Sequence, residues 1–362
     1  MFISHLSLQT FRSYKNLELD LAPGISIFVG RNGEGKTNII ESILYLSFLS
    51  SHRVSSDTPL VQLGSTSAYI RATTELPERQ VLVELEVNAE KANRARINQN
   101  PVRSQKELFG IVQAIYFSPE DLDLVRGDPS ERRKFIDQII MLRSPRMAGV
   151  ISDYERAVRQ RNALLKSRAG NESLASWDEQ VAKFGGEVIA ARLQTLNDLL
   201  PVFTEIYKEI SSEKPARIDY KASIESPSIV PTENTEQILA RMKVTRVAEI
   251  ERGLTLTGPH RDDLLLHLGD HLVKGYASHG ESWSIALSLK LATYQLLKND
   301  GLSPILILDD VFSELDDERR THLISLAKSA EQTLITVAVE SDLPSELTGA
   351  RFHVKSGSVN KS

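Results

Sequence analysis

Two short segments, FVGRNGEGKTNII at residues 28–40 and PILILDDVFSELD at 304–316, each read as half of a nucleoside-triphosphate site, and 267 residues separate Thr37 of the first from Ile305 of the second. The first fits G-x-x-x-x-G-K-[ST] with Gly30, Gly35, Lys36 and Thr37 in register. Ile25, Ile27, Phe28 and Val29 before it read as a buried strand, and Ile40, Ile43, Leu44 and Phe48 after it fall on one helical face. Strand, glycine turn and helix are the context this motif needs. The backbone N–H groups of Gly30, Arg31, Asn32, Gly33, Glu34 and Gly35 can curl around a β-phosphate at a helix N-terminus. Lys36 is then expected at the β/γ-phosphates, and the Thr37 hydroxyl on Mg²⁺.

The second segment runs Ile305 to Leu308 and ends in Asp309–Asp310, the way a buried strand delivers carboxylates to a Mg²⁺-phosphate site. Asp309 is expected to hold the metal through water, and Asp310 to orient or deprotonate the attacking water. No compact kinase or GTPase domain needs so long a separation between these strands, so a whole lobe is inserted. The fold expected is α/β, a P-loop ATPase head with a mixed sheet and an antiparallel β subdomain, carrying an inserted, mainly helical lobe. Residues 1–115 read as strand-rich: Leu17, Leu19 and Leu21 alternate with polar residues, as do Val81, Val83, Leu85 and Val87. Residues 116–250 read as the helical lobe, with Trp177, Val181, Phe184 and Val188 as one apolar stripe, and 211–236 as irregular with a strand near 218–224. Residues 251–362 return to the ATPase head.

Composition narrows the setting. The chain has 362 residues, 41% hydrophobic and 25% charged, with no cysteine, which excludes disulfides, thiolate metal sites and a cysteine nucleophile. MFISHLSLQTFRSYK contains no apolar leader core, and no stretch nears the ~20 apolar residues of a membrane span. A cytoplasmic protein with no membrane partner is expected. The net charge of −5 hides a local excess: residues 126–168 hold eleven Lys/Arg against five Asp/Glu. That segment, with Arg132, Arg133, Arg159 and Arg161, reads either as a polyanion-binding surface or as a helical face laced with ion pairs.

Just before the second strand, YASHGESWSIALSLKLATYQLL (276–297) places a Ser-x-Gly turn at the start of an apolar helix, a second anion-binding geometry. Phosphate loop, inserted lobe, Ser-x-Gly turn, aspartate pair and SELD in this order resemble the ABC-type ATPases. That resemblance implies two ATP molecules held between two copies of the chain. Ser278, Gly280 and Glu281 would then be the signature positions that meet the γ-phosphate of the second copy, and Ser313 and Asp316 would lie in the loop crossing the dimer interface. Within that superfamily the chain resembles the RecF family of bacterial recombination mediators. LQTFRSYKNLELDLAPGI, GRNGEGKTNIIESILYLSFLSSHR, FSPEDLDLVRGDPSERRKFID, YERAVRQRNALLK, LTGPHRDDL and LILDDVFSELD carry that likeness from end to end.

The resemblance implies an ATP-gated DNA-binding protein. It would dimerise on ATP, clamp duplex DNA at gaps or damage, and support RecA loading with RecR and RecO in repair, replication restart and the SOS response. Three departures point to slow hydrolysis: His279 and Glu281 in the signature turn, the short Asp310 as general base, and no switch histidine in TLITVAVES (333–341). Arg12 reads as a nucleotide contact or an ion pair. Glu120, after a strand at the entry to the inserted lobe, reads as a metal-sensing position. His260, Arg261 and Asp262 follow Gly258–Pro259 and read as a brace for the nucleotide site or the signature helix, or as a hydrogen-bonded turn. The inserted lobe is too short for the long coiled coil of SMC proteins. The other readings are an SMC-like or phage-defence ATPase acting through a protein partner, and a transporter's nucleotide subunit.

Overall fold

In the computed structural model, which describes residues 1–167, 171–211 and 214–362, the chain divides into two units. One comprises Met1–Asp121 with Leu297–Ser362 and the other Leu122–Leu296. Arg168, the last residue of the basic segment, and residues 212–213 of the stretch read as irregular lie outside the described residues.

The first unit holds two six-stranded sheets. One is antiparallel, in the order Tyr14–Asp20, Phe2–Phe11, Ser67–Leu76, Arg79–Asn88, Arg94–Ile97, Asn100–Pro101. Alternation builds it: Ala68, Ile70 and Ala72 face the core opposite Val87, Leu85 and Val83, with polar residues between them. The other sheet runs Ser358–Lys361, Ala350–Lys355, Gly24–Val29, Gln332–Val337, Ile305–Asp309, Ala114–Phe117, with its last five strands parallel. The central strands Ile305–Asp309 and Gln332–Val337 are buried at every position, as strands covered on both faces require. Helix Lys36–Phe48 shares one core with both sheets and is buried on nearly every side, a wider burial than the single apolar face read from sequence.

The second unit is mainly helical. Helices Pro129–Arg143, Arg146–Lys166, Asn171–Ile210 and Pro231–Arg252 surround two apolar clusters, and a three-stranded antiparallel sheet joins Ala216–Lys221, Asp263–Leu268 and His271–Leu272. Val181 and Val188 of the 40-residue helix Asn171–Ile210 are fully buried, with Trp177 and Phe184 packed beside them. Two boundaries differ from the sequence reading. Pro231, pre-set for the first helical turn, starts a helix inside the stretch read as irregular. Residues 251–296 belong to the helical unit, because Asp263–Leu268 pairs with Ala216–Lys221 and the signature helix buries Ile285, Leu289 and Ala292 in that unit's core. Among the described residues no helix is long and apolar enough to cross a membrane.

Candidate functional site

The C-terminal ends of the parallel strands carry the phosphate site, where α/β sheets place their ligands. Gly33 and Gly35 take φ of 85° and 116°, the left-handed region that glycine enters without strain, and Gly35 caps helix Lys36–Phe48. Gly30 has no room for a side chain, since a Cβ there would lie 2.4 Å from the Val354 carbonyl oxygen. The loop is braced on both sides. The Tyr14 hydroxyl donates to the Gly35 carbonyl at 3.2 Å, and the Ser356 N–H and hydroxyl both donate to the Glu34 carboxylate. Asn32, Gly33, Gly35, Lys36, Thr37, Asn38, Arg53 and Asp310 line a cavity of about 260 Å³. Arg31 and Asn32 are exposed.

Lys36 is buried, donates to the Gly30 carbonyl at 2.6 Å, and stands 3.8 Å from Asp310 Oδ2. Its ammonium therefore sits on backbone oxygen beside a carboxylate. The two aspartates do different things. Both Asp309 oxygens accept hydroxyl donors, Tyr116 at 3.0 Å and Thr336, whereas Asp310 faces the cavity from a left-handed turn with φ of 49°. Burial pushes both carboxyls above the usual carboxylate range, opposed at Asp309 by the Thr336 and Tyr116 bonds and at Asp310 by the Lys36 charge. Thr336 stands on the strand that lacks a switch histidine, and its hydroxyl and carbonyl also accept the Asp310 N–H.

The donors suit Mg²⁺ held jointly with phosphate. Among the described residues no group of three or more His, Cys, Asp or Glu could hold a metal alone, and Mg²⁺ in nucleotide sites needs only one or two protein oxygens beside phosphate and water. Thr37 and Asp310 line the same cavity, whereas Asp309, expected to hold the metal, is not among its lining residues and has both oxygens on Tyr116 and Thr336. Glu120 is exposed in the short 3-10 turn Pro119–Asp121.

Arg12 does not line the cavity. It forms a bidentate pair with Glu41 at 2.8 and 2.6 Å and donates to the Pro59 carbonyl, so of its two readings the ion pair is the one observed. Burial alone would raise the Glu41 carboxyl, but the bonds from Arg12 and Ser51 and the charges of Arg12 and Arg53 hold it below its ordinary value. Sequence reasoning missed Arg53, which reaches the cavity while donating to Asn38 at 3.1 Å and standing 3.4 Å from Glu41. Its only signal was one arginine in LSSHR, after the phosphate-loop helix.

In the helical unit, Ser278 and Glu281 form a reciprocal cap. The Ser278 N–H donates to Glu281 Oε2 at 2.7 Å, and the Glu281 N–H donates to the Ser278 hydroxyl at 3.2 Å. Lys214 bonds the same carboxylate at 2.8 Å and, with the Ser278 bonds, lowers its pKa to about 2. The Glu281 carboxylate thus closes the turn, whereas Ser278 and His279 are exposed and Gly280 is half-buried. Ser313 is exposed, and Asp316 caps helix Asp317–Ser329. His260 bonds Tyr154 and the Thr255 carbonyl, Arg261 donates to that same carbonyl, and buried Asp262 accepts from Tyr220 and Ser223. All these partners lie in the helical unit, so the turn is a hydrogen-bonded hub within it.

Two of the four basic residues assigned to DNA, Arg132 and Arg161, need correction. Arg161 is fully buried between Asp178 and Glu249, and Arg132 is buried and bidentate on Asp263, so neither can reach phosphate. Arg133 is half-buried and donates to the Asp262 carbonyl. Arg159 is exposed, with only a loose pair to Glu155 at 3.8 Å.

A parallel-stranded P-loop sheet, an antiparallel β subdomain and a capped Ser-x-Gly helix in an inserted helical unit define an ABC-type ATPase head of the SMC kind. The family model described as "RecF/RecN/SMC N terminal domain" matches residues 2–350. "DNA replication and repair protein RecF" of Streptomyces avermitilis is 49% identical over 100% of both chains, and the protein of that description from Beutenbergia cavernae is 48% identical over 99% of both. The chain belongs to the RecF family of DNA replication and repair proteins. Among solved structures, the recombination mediator protein RecF–ATP of the RecFOR pathway matches with a TM-score of 0.91 at 27% identity, over 100% of this chain and 97% of that one. An SMC head bound to the C-terminal winged-helix domain of ScpA shares the fold, with a TM-score of 0.59 at 17% identity over 100% of this chain and 97% of that one.

Proposed function

We propose that this protein is an ATP-gated DNA-binding switch. ATP and Mg²⁺ bind at the Lys36 cavity, and two copies close so that Ser278 of each completes the other's site. The closed dimer holds duplex DNA at gaps or damaged sites. Slow, DNA-stimulated hydrolysis then reopens it. In the cytoplasm this would mark DNA for RecA loading with RecR and RecO, in recombinational repair, replication restart and the SOS response.

The observation that carries the reading is the division of labour between Lys36 and Asp310. The cation is already buried beside the carboxylate that faces the cavity, so phosphate binding and water activation share one pocket. Mg²⁺ would neutralise phosphate charge there. Asp310 would orient the attacking water, with its backbone N–H anchored to Thr336. A short aspartate arm, and a Glu281 carboxylate committed to its cap, favour slow turnover over a power stroke. On the helical unit, the exposed basic residues Arg146, Arg156 and Arg159 are among the side chains available for backbone phosphate, each in a pair no closer than 3.7 Å.

Ser278→Arg is the test. It should leave ATP binding by the isolated chain intact, and abolish both ATP-induced dimers in light scattering and ATP-dependent retention of duplex DNA on filters. ATP-induced dimers of Ser278→Arg would sink the two-copy site, leaving the turn as a packing element.

A further inference from the structure

A second cavity, of about 500 Å³, lies on the outer face of the antiparallel sheet and includes none of the residues that line the phosphate cavity. Cross-strand register builds it. Arg71 stands opposite Glu84, and Glu84 opposite Arg96; Tyr69 stands opposite Glu86, and Glu86 opposite Arg94. The segment 101–105, with Arg103, forms a further wall. The volume falls within the roughly 300–1,000 Å³ of small-ligand pockets.

Its charges are unusually idle. Arg94, Arg96 and Arg103 are exposed, and among the described residues their side chains make no hydrogen bond or ion pair. Arg71 is engaged: its Nε donates to Glu84 Oε1 at 3.3 Å, and its guanidinium lies 5.4 Å from the Tyr69 ring centroid. The other carboxylate oxygen, Glu84 Oε2, is buried with no partner, as is Gln105 Oε1. Free guanidiniums call for phosphate, the aromatic ring for a flat π-face, and orphaned acceptors for N–H donors. A nucleotide with an unstacked base supplies all three. Stacked bases in duplex DNA present no free face to an aromatic ring, so the match is to a single strand.

We infer that this groove binds single-stranded DNA, with Arg94, Arg96 and Arg103 on backbone phosphates and one base against Tyr69, its N–H groups at Glu84. The inference extends the DNA-binding reading proposed above by assigning the unpaired strand of a gap to the β subdomain. Because the groove is complete in one chain, it requires neither ATP nor a dimer.

The test uses the full-length chain without ATP and a fluorescent single strand of about 12 nucleotides, within the size of known single-strand sites. Fluorescence anisotropy should show binding that weakens with salt. The triple variant Arg94→Ala/Arg96→Ala/Arg103→Ala should flatten the log–log salt slope by about 2, from roughly 0.7 for each of three phosphates. Tyr69→Leu should cost about ten-fold in affinity. These side chains lie on the outer face, so the thermal unfolding midpoint of the strand signal in circular dichroism and the ATP-dependent retention of duplex should stay at wild-type values. Equal salt slopes for wild type and the triple variant overturn the inference, as does a wild-type chain that fails to bind the strand at low salt. A mononucleotide, dCMP, that displaces the oligonucleotide at equal concentration also overturns it, since the groove would then serve free nucleotides. Loss of duplex retention in the triple variant overturns the assignment to a single strand. Failure of ATP gating leaves this measurement untouched, so the two readings fail separately.

Discussion

Replacing Arg161 with alanine distinguishes a DNA contact from a structural cation. The Arg161 side chain has no exposed surface and donates to Asp178 at 2.7 Å, Glu249 at 2.6 Å and the Thr255 hydroxyl at 2.9 Å. Asp178 would keep Arg246 as a second cation, but Glu249, itself fully buried, would keep, among the described residues, only the Leu256 N–H at 2.8 Å. Breaking a buried ion pair costs about 3–5 kcal/mol because the remaining charge is stranded. With Asp178 still paired, the lower half of that range applies, about 3–4 kcal/mol. Both tryptophans, Trp177 and Trp283, lie in the helical unit, so intrinsic fluorescence reports its unfolding alone. At a urea slope of about 2 kcal/mol per molar, the midpoint should fall by about 1.5–2 M. The salt slope of DNA binding should not change while the variant is folded. A wild-type midpoint together with a slope flattened by about 0.9, the loss of one phosphate contact, would refute the structural reading and return Arg161 to the DNA surface.

Lys36→Met removes the buried cation of the phosphate cavity and should abolish ATP binding with circular dichroism unchanged; wild-type ATP affinity by calorimetry would contradict the assignment. Asp310→Asn should retain ATP yet stop hydrolysis, so complexes on duplex DNA should outlast those of wild type, and faster dissociation would make Asp310 a structural or metal-holding group instead. His260 uses both ring nitrogens as a neutral imidazole, one accepting from Tyr154 at 2.6 Å and the other donating to the Thr255 carbonyl at 3.1 Å, and burial lowers its pKa to about 4. The unfolded chain takes up that proton near the ordinary value of about 6.5, so stability should be flat above that pH and fall between about 6.5 and about 4, by at most about 3 kcal/mol. His260→Gln should remove this part of the pH dependence, measured as urea midpoints; identical dependence in wild type and variant would show that the ring does not carry it.

Local geometry was legible in the sequence, and long-range pairing was not. A phosphate loop is specified within ten residues, so the cradle, its glycines and Lys36 could be read before any fold was known. The alternation in Leu17–Leu21 and Val81–Val87 likewise gave strands, because period 2 with one buried face has few other solutions. The boundary of the helical unit was misread because Asp263–Leu268 alternates like any half-buried strand, and only its partner, Ala216–Lys221, assigns it to that unit. Arg53 was missed for a related reason. Its place in the cavity depends on Asn38 and Glu41 in the first two turns of the preceding helix, and a lone arginine after that helix shows no periodicity.

The arginines make the limit explicit. A charge count over residues 126–168 finds a basic segment, but whether a guanidinium is free depends on carboxylates far away in sequence. Arg132 meets Asp263 across 131 residues and Arg161 meets Glu249 across 88, so part of the densest basic stretch is consumed in holding helices together. Arg94 and Arg96, in a stretch of modest net charge, face outward from an edge of the antiparallel sheet where, among the described residues, no acidic partner engages them. Desolvating a guanidinium is tolerable only when a carboxylate is built to receive it, so the buried arginines mark structure and only the exposed, unpaired ones remain open to an external anion. The first step from sequence to nucleic-acid contact is therefore to subtract the paired charges, which in this chain removes Arg132 and Arg161 and leaves the exposed arginines of each unit as the candidates.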